Sequence, residues 1–192
     1  MELNRYSDIR EDLYFDISLG HQGFVAHPHP DDEEAVQDTL SIEIRRFMFE
    51  ADEEGTKIAT IFCHFFDLDQ QSIYTEADFL YPLDIISQET FQIGEYLLDH
   101  YIDVHSEIDG ELTPNILHVF HFNLEESYRG GDVEAGLLRD LGEIVQAVFR
   151  KSVEYVTYIL TDEDMKSTFE NGEHTEVASL PAYANPAYIL RS

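Results

Sequence analysis

Cysteine is nearly absent from this 192-residue chain, which contains Cys63 alone and has no tryptophan. One cysteine allows no intrachain disulfide and no cysteine-based zinc cage. A single free thiol suits a reducing cytoplasm, where we expect the protein to function. Long apolar runs are missing too, since none approaches the roughly 20 residues that a membrane helix needs. The opening MELNRYSDIREDLYFD has no basic segment followed by an apolar core, so we expect no signal peptide.

Positive charge is also scarce, since eleven Lys and Arg residues stand against forty Asp and Glu residues, for a net charge of −29. A surface of this charge repels nucleic acid phosphates and anionic membranes, so we expect neither as a partner. The charge favours two interpretations. It is an adaptation to salt or solubility, or it mimics a polyanion and binds a basic protein partner. The acidic residues are spread along the chain, which fits both.

Apolar and aromatic residues, in contrast, are plentiful, since 43% of the chain is hydrophobic and it contains 13 Phe and 11 Tyr. This content is enough for one domain with a substantial core, and it is unlike that of a disordered acidic tail. The chain has no evident repeat or internal linker. We therefore expect residues 1–192 to form a single domain.

The first half of the chain has the residue pattern of β-strands. The segment LYFDISLG (13–20) predicts a first strand, whereas DDEEAVQDTL (31–40) predicts a short helix or turn. The segments SIEIRRFMFE (41–50) and KIATIFCHFF (57–66) are rich in β-branched and aromatic residues, and a polar stretch with Gly55 separates them. Together they predict a β-hairpin.

The middle of the chain changes to a helical period in SQETFQIGEYLLDHYID (87–103), where Ser87 provides a polar start. The next segment, NILHVFHFNL (115–124), is apolar on both faces, which predicts a central strand. The residues on the apolar face of the predicted helix are Phe91, Gly94, Leu97, Leu98, Tyr101 and Ile102.

The second half contains the most regular helical pattern, DVEAGLLRDLGEIVQAVFRK (132–151), followed by a strand at 153–160, a short helix at 162–172 and two last strands. A strand–helix–strand unit implies a parallel pair with a right-handed crossover. The fold class predicted is therefore α/β of the α+β kind, with a mixed, mainly antiparallel central sheet. The apolar stripe of the long helix is Leu137, Leu138, Leu141, Ile144, Val145, Val148 and Phe149.

The stretch NILHVFHFNLEESYRGGDVEAGLLRDLGEIVQAVF resembles the central motif of the GNAT N-acetyltransferase superfamily. Tyr128, Arg129 and Gly130 stand where the glycine-rich turn of that family begins, and the elements that follow match the family's second half. The resemblance covers roughly residues 12–192 and implies a GNAT-like fold. Relative to the family, a helical segment at about residues 76–110 is an insertion between the third and fourth strands. Because GNAT-like domains often pair, the resemblance also implies a homodimer.

The resemblance implies transfer of an acyl group from acetyl-CoA, the expected cofactor, to an amine on a small molecule or a protein. Backbone N–H groups of the turn and the helix N-terminus hold the pyrophosphate, because unpaired amides and the positive helix end attract anions. Central strands that separate admit the pantetheine arm in this family. The residues implied at the cofactor are Leu124, Arg129, Gly130, Gly131, Asp132, Val133 and Glu134.

The candidate general base is His121, because it shares a face of the central strand with Asn123 and imidazole titrates near neutrality. Asp132 and Glu134 stand where the family has small residues, and KSTFENG (166–172) has no Tyr at the position of the family's usual acid. These departures define an alternative, a non-catalytic acidic module of the same fold. Its two carboxylates would complement the helix end themselves, and its surface would bind a basic protein.

A third hypothesis comes from HPHPDDEE (27–34), because HPDDE resembles the signature of zinc-dependent de-N-acetylases. His29 and Asp32 would be zinc ligands and Asp31 the base, with a further histidine from HVFH (118–121). An odd spacing on a strand, however, places the two histidines of HVFH on opposite faces. We therefore expect no metal, and a proline-stiffened turn that caps a short helix at this segment.

Overall fold

The structure is a computed structural model that describes residues 5–20, 37–46, 55–68, 75–102, 114–129, 132–159, 175–181 and 186–191. The helices among these residues are α1 (Tyr6–Ile9), α2 (Glu76–Asp84), α3 (Gln88–His100) and α4 (Val133–Phe149). The strands are β1 (Leu13–Gly20), β2 (Gln37–Arg46), β3 (Thr56–Phe66), β4 (Ile116–Leu124), β5 (Tyr155–Ile159), β6 (Thr175–Ala178) and β7 (Ala187–Arg191).

All seven described strands form one sheet in the order β1-β2-β3-β4-β5-β7-β6. Neighbouring strands are antiparallel except for β4 and β5, which are parallel and are connected in the chain through α4. The predicted class is confirmed, since the sheet is mixed and mainly antiparallel. The predicted hairpin of β2 with β3, the central position of β4 and the parallel pair are confirmed as well.

The prediction of a helix or turn at 31–40 is wrong for its last four residues. Residues 37–40 open β2 and pair with β3, and residues 39 and 40 also pair with β1. This pairing with neighbouring strands overrides the weak local preference of a polar sequence. The predicted short helix at 162–172 and the predicted turn at 27–34 lie outside the described residues.

One face of the sheet packs against α1 and α4. Buried residues of β3 (Ile61 and Cys63) join buried residues of α4 in a single apolar cluster. The predicted stripe of α4 is confirmed for Leu137, Leu138, Leu141 and Val145, which are buried. Val148 is 56% exposed, so its place in that stripe was wrong, because the fully buried part of α4 ends at Val145.

The opposite face of the sheet carries α2 and α3 at one end, packed on buried residues such as Phe66 and Ile116. The predicted start of α3 is confirmed, since Ser87 is its N-cap and its hydroxyl oxygen accepts from the Thr90 N–H. Helix α2 begins with a full capping box, in which Thr75 and Asp78 satisfy each other's backbone N–H groups. No helix among the described residues is long and apolar enough to cross a membrane.

Helix α1 is held against the first turns of α4. The Tyr6 hydroxyl donates to the Asp140 carboxylate over 2.7 Å, and Arg10 Nε donates to the same oxygen over 2.5 Å. The Tyr6 ring lies directly on Gly136, where an added Cβ would come within 2.1 Å of the ring. A glycine is therefore required at this contact by close approach of the ring.

We expect Gly136→Ala to destabilise the fold by about 2 kcal/mol, because the methyl group forces the Tyr6 ring off α4. The free energy of unfolding in urea measures the effect. In a Tyr6→Ala background the same substitution should leave the free energy of unfolding unchanged or raise it, since alanine is more favourable than glycine in a helix by about 1 kcal/mol. An equal loss in both backgrounds would show that the ring contact is not the cause.

Candidate functional site

The paired part of the parallel strands β4 and β5 ends close to the start of α4. The described pairing joins Ile116–Val119 to Tyr155–Tyr158. Strand β4 continues to Leu124, whereas β5 is described only to Ile159, one residue beyond the last pair. The 3-10 turn Glu126–Tyr128 follows β4, and Glu134 at the start of α4 contacts Tyr158. We refer to the region beyond Val119 and Tyr158, next to the start of α4, as the gap.

A β-bulge in β4 lies directly after Val119, the last β4 residue of the described β4–β5 pairing. Cys63 of β3 pairs with Val119, and Phe62 pairs with His121, so Phe120 is an extra residue in β4. A bulge bends its strand and increases the local twist. The bulge therefore changes the direction of β4 beyond the part that pairs with β5. The ring of Phe120 is 45% exposed.

The same bulge changes which face His121 occupies. His118 pairs with His64 and His121 pairs with Phe62, and these two β3 residues are two positions apart, so they share a face. The expectation that His118 and His121 lie on opposite faces was wrong, because one inserted residue restores the same face. Even so, the described residues contain no cluster of three His, Cys, Asp or Glu side chains that could hold a metal ion. His29, Asp31 and Asp32 lie outside those residues.

His118 is buried and its two ring nitrogens both have partners. Its Nε2 lies 2.8 Å from the Glu89 carboxylate of α3, and its Nδ1 lies 3.0 Å from the Thr157 hydroxyl of β5. A carboxylate only accepts, so Nε2 donates to Glu89. This network joins α3, β4 and β5 one position before the last described β4–β5 pair. Sequence reasoning missed it, because nothing in the local pattern of Glu89 signals a partner on β4.

Four rings form a continuous surface beside the gap, which we call the aromatic strip: Phe62, His64, Phe120 and His121. The His64 and Phe120 rings are stacked with centroids 4.3 Å apart. Phe62 lies 6.2 Å from Phe120 and 5.6 Å from His121, centroid to centroid. His121, the candidate base, is exposed at the end of this strip and on the gap side of the bulge.

The imidazole of His64 is held neutral by its surroundings. Burial lowers the pKa of His64 to about 4, with a further lowering from His118 and an opposing effect of Glu89. Its neighbour Cys63 points to the α4 side of the sheet, where burial raises the pKa of the thiol. The two side chains therefore form no nucleophile pair, and Cys63 is an unreactive core residue.

Arg129 lies just after β4 and forms hydrogen bonds to its last two residues, near the start of α4. Its Nε donates to the Leu124 carbonyl over 2.7 Å, and its Nη2 donates to the Asn123 side-chain oxygen over 3.3 Å. Leu124 itself is buried, so only its backbone takes part. The guanidinium places a fixed positive charge beside the turn that precedes α4.

The two carboxylates at the start of α4 form hydrogen bonds with other parts of the fold. Asp132 occupies the N-cap position, but its carboxylate accepts from the Tyr6 N–H over 2.7 Å and caps no amide of α4. Glu134 is hydrogen-bonded to Tyr158, the last β5 residue paired with β4. Burial raises the pKa of Glu134, while Tyr158 and the charge of Arg129 lower it.

The predicted cofactor residues thus differ in where the structure places them. Arg129 and Glu134 come together at the mouth of the gap, whereas Val133 is buried and offers only its backbone. Asp132 faces α1, and Gly130 and Gly131 lie outside the described residues. Tyr158 was missed, although its place in a strand parallel to β4 was the available signal.

No protein-family model matches this chain, and comparison with curated proteins also gives no match.

Proposed function

We propose that the chain is a GNAT-like domain that binds acetyl-CoA, or a related acyl-CoA, between β4 and β5 and transfers the acyl group to an amine. The observation that carries this proposal is that the described β4–β5 pairing ends at Val119 and Tyr158, beside a bulge in β4 and next to the start of α4. We propose that the two strands part beyond these residues, so that their backbone groups can bind an extended arm.

The arrangement around the gap supports the proposal. A hairpin, a central strand, a crossover helix, a parallel strand and two last antiparallel strands follow one another as the sequence resemblance implies. The start of α4 supplies amides and the positive end of a 17-residue helix, and Arg129 adds a charge for a phosphate.

His121 is the proposed base on the acceptor side. In the reaction the amine nitrogen attacks the thioester carbonyl and forms a carbon–nitrogen bond, and its proton passes to the imidazole. The carbon–sulfur bond breaks, and CoA leaves as a thiolate that takes up a proton. The exposed ring of His121 lies on the strand that borders the gap, on the side of the aromatic strip.

Titration with acetyl-CoA, followed by calorimetry, tests the proposal. We expect binding, and we expect Arg129→Ala to weaken it about tenfold through loss of a charge-assisted phosphate contact. Arg139→Ala is the matched control, because it removes the same charge from an exposed position further along α4. Absence of heat at high micromolar protein, or equal effects of the two variants, would count against this site.

The contacts of Asp132 and Glu134 favour a second candidate, a non-catalytic acidic module of the same architecture. Both carboxylates already have partners within the fold, so the helix end is complemented without an external anion. This candidate predicts that a basic protein binds at low salt and is released as ionic strength rises, because screening weakens attraction between surface charges. Pull-downs at two salt concentrations distinguish it from the transferase.

A further inference from the structure

We propose that the aromatic strip binds a small organic ammonium ion, with the charged nitrogen over the exposed ring of Phe120. This inference deepens the proposed function, because the bound ion would be the acceptor amine. That role rests on acyl transfer in the gap, whereas the binding itself does not.

The geometry of the strip suits a cation. The Phe120 ring lies 6.2 Å from the Phe62 ring in a tilted pair and 4.3 Å from the His64 ring in a stacked pair, so the three rings present a joined π surface. An ammonium ion within about 6 Å of a ring centroid is attracted by the negative face of the ring. Such a surface on three neighbouring residues gives more contact than one isolated exposed ring.

The charges of the protein favour a cationic ligand over a neutral aromatic ligand at the strip. The net charge of −29 concentrates cations near the whole surface. The imidazole of His64 is neutral at physiological pH, because burial keeps its pKa near 4, and so it does not repel an ammonium ion. The strip therefore combines π faces with a neutral histidine inside a strongly negative field.

The position of the strip places the ion beside the gap and away from α4. Ile61 and Cys63 face the α4 side of the sheet, so Phe62 and His64 face the other side. The acceptor amine would reach the gap from the strip, whereas a pyrophosphate would bind at the start of α4. His121 lies at the end of the strip next to the gap, where it can take a proton from the bound nitrogen.

The test is a titration of the full chain with 1,4-diaminobutane, without acetyl-CoA, followed by amide and histidine-ring NMR shifts. We expect shifts concentrated at the strip, and none with 1,4-butanediol, which has the same length and no charge. Phe120→Ala and Phe120→Leu should both weaken diamine binding about five-fold, because each removes the π face. The leucine variant keeps apolar bulk at the bulge. Tyr81→Ala removes an exposed ring on α2, outside the strip, and should leave diamine binding unchanged.

Two results would overturn the ammonium site. The first is a set of diamine shifts spread over the acidic surface and unaltered by either Phe120 variant. The second is an equal response to the diol. Parallel titration with acetyl-CoA separates this inference from the proposed function. Diamine binding without acetyl-CoA binding keeps the ammonium site and removes the transferase, and acetyl-CoA binding without diamine binding does the reverse.

Discussion

Glu134→Gln is expected to raise the affinity for acetyl-CoA at least about tenfold, or ~1.4 kcal/mol. The carboxylate of Glu134 lies at the start of α4 beside Tyr158 and Arg129, where a diphosphate would bind. Two like charges about 4 Å apart repel by roughly 4 kcal/mol at an effective dielectric constant near 20, and Arg129 offsets part of this. Glutamine removes the charge and keeps a group that can hydrogen-bond to Tyr158.

The pH dependence gives the same prediction a second measurement. Because burial raises the pKa of Glu134, the side chain takes up its proton above the usual range of a glutamic acid. Wild-type affinity should therefore rise relative to the Gln variant as the pH falls through that raised pKa. Protonation of the ligand's phosphates affects wild type and variant equally. The difference between their pH profiles of affinity therefore reports the protonation of Glu134 alone.

The control for this prediction is Glu143→Gln, which removes the same charge from an exposed position of α4. The raised pKa of Glu134 also predicts how this side chain affects the stability of the fold at different pH values. A carboxyl pKa raised by folding stabilises the fold at low pH, and this contribution is lost as the pH rises through the folded value. Glu134→Gln should thus be no less stable than wild type at neutral pH. Unchanged affinity in Glu134→Gln, or an equal gain in the control, would show that Glu134 does not oppose the ligand.

Asn115→Ala is expected to destabilise the fold by about 3 kcal/mol. Asn115 is fully buried, and its side-chain oxygen accepts from the Leu68 N–H over 2.7 Å while its amide donates to the Ser152 carbonyl over 3.1 Å. Alanine leaves the N–H of the buried Leu68 without this acceptor, and an unsatisfied buried polar group costs about 1–3 kcal/mol. The side chain joins the end of β3 to the connection between α4 and β5.

Urea unfolding of Asn115→Ala beside Asn123→Ala measures this effect. Asn123 lies in β4, the strand that Asn115 precedes, but it is exposed, so its replacement should change the free energy of unfolding by less than about 0.5 kcal/mol. Similar losses in the two variants would mean that burial of the Asn115 hydrogen bonds does not stabilise the start of β4.

Much of the fold could be predicted because buried apolar side chains recur in the sequence at the period of the helix or strand that contains them. The stripe from Leu137 to Val145 fixed α4, and the apolar run before Leu124 placed β4 at the centre of the sheet. The order of elements around α4 then required a parallel neighbour. Residues 37–40 escaped prediction because their strand is defined by pairing with β1 and β3 and not by their own polar side chains.

The site was harder to predict than the fold. The extra residue at Phe120 moves His121 onto the face of His118, and no residue type in HVFHF marks that insertion. The contact of Glu89 with His118 crosses from a helix to a strand, so neither local sequence shows it. Glu134 was singled out as a negative charge at the helix end, but its hydrogen bond to Tyr158 depends on how α4 crosses the sheet.

Amide-resolved NMR of the full chain during titration with acetyl-CoA tests the central claim most directly. If an acyl-CoA binds in the gap beyond Val119 and Tyr158, the amides of residues 120–124, 133–135 and 158–159 shift together and saturate at one ligand concentration. The amide shifts of the paired strands β1 and β2 stay unchanged. Shifts confined to other surfaces, or no shift at millimolar ligand, would contradict the account.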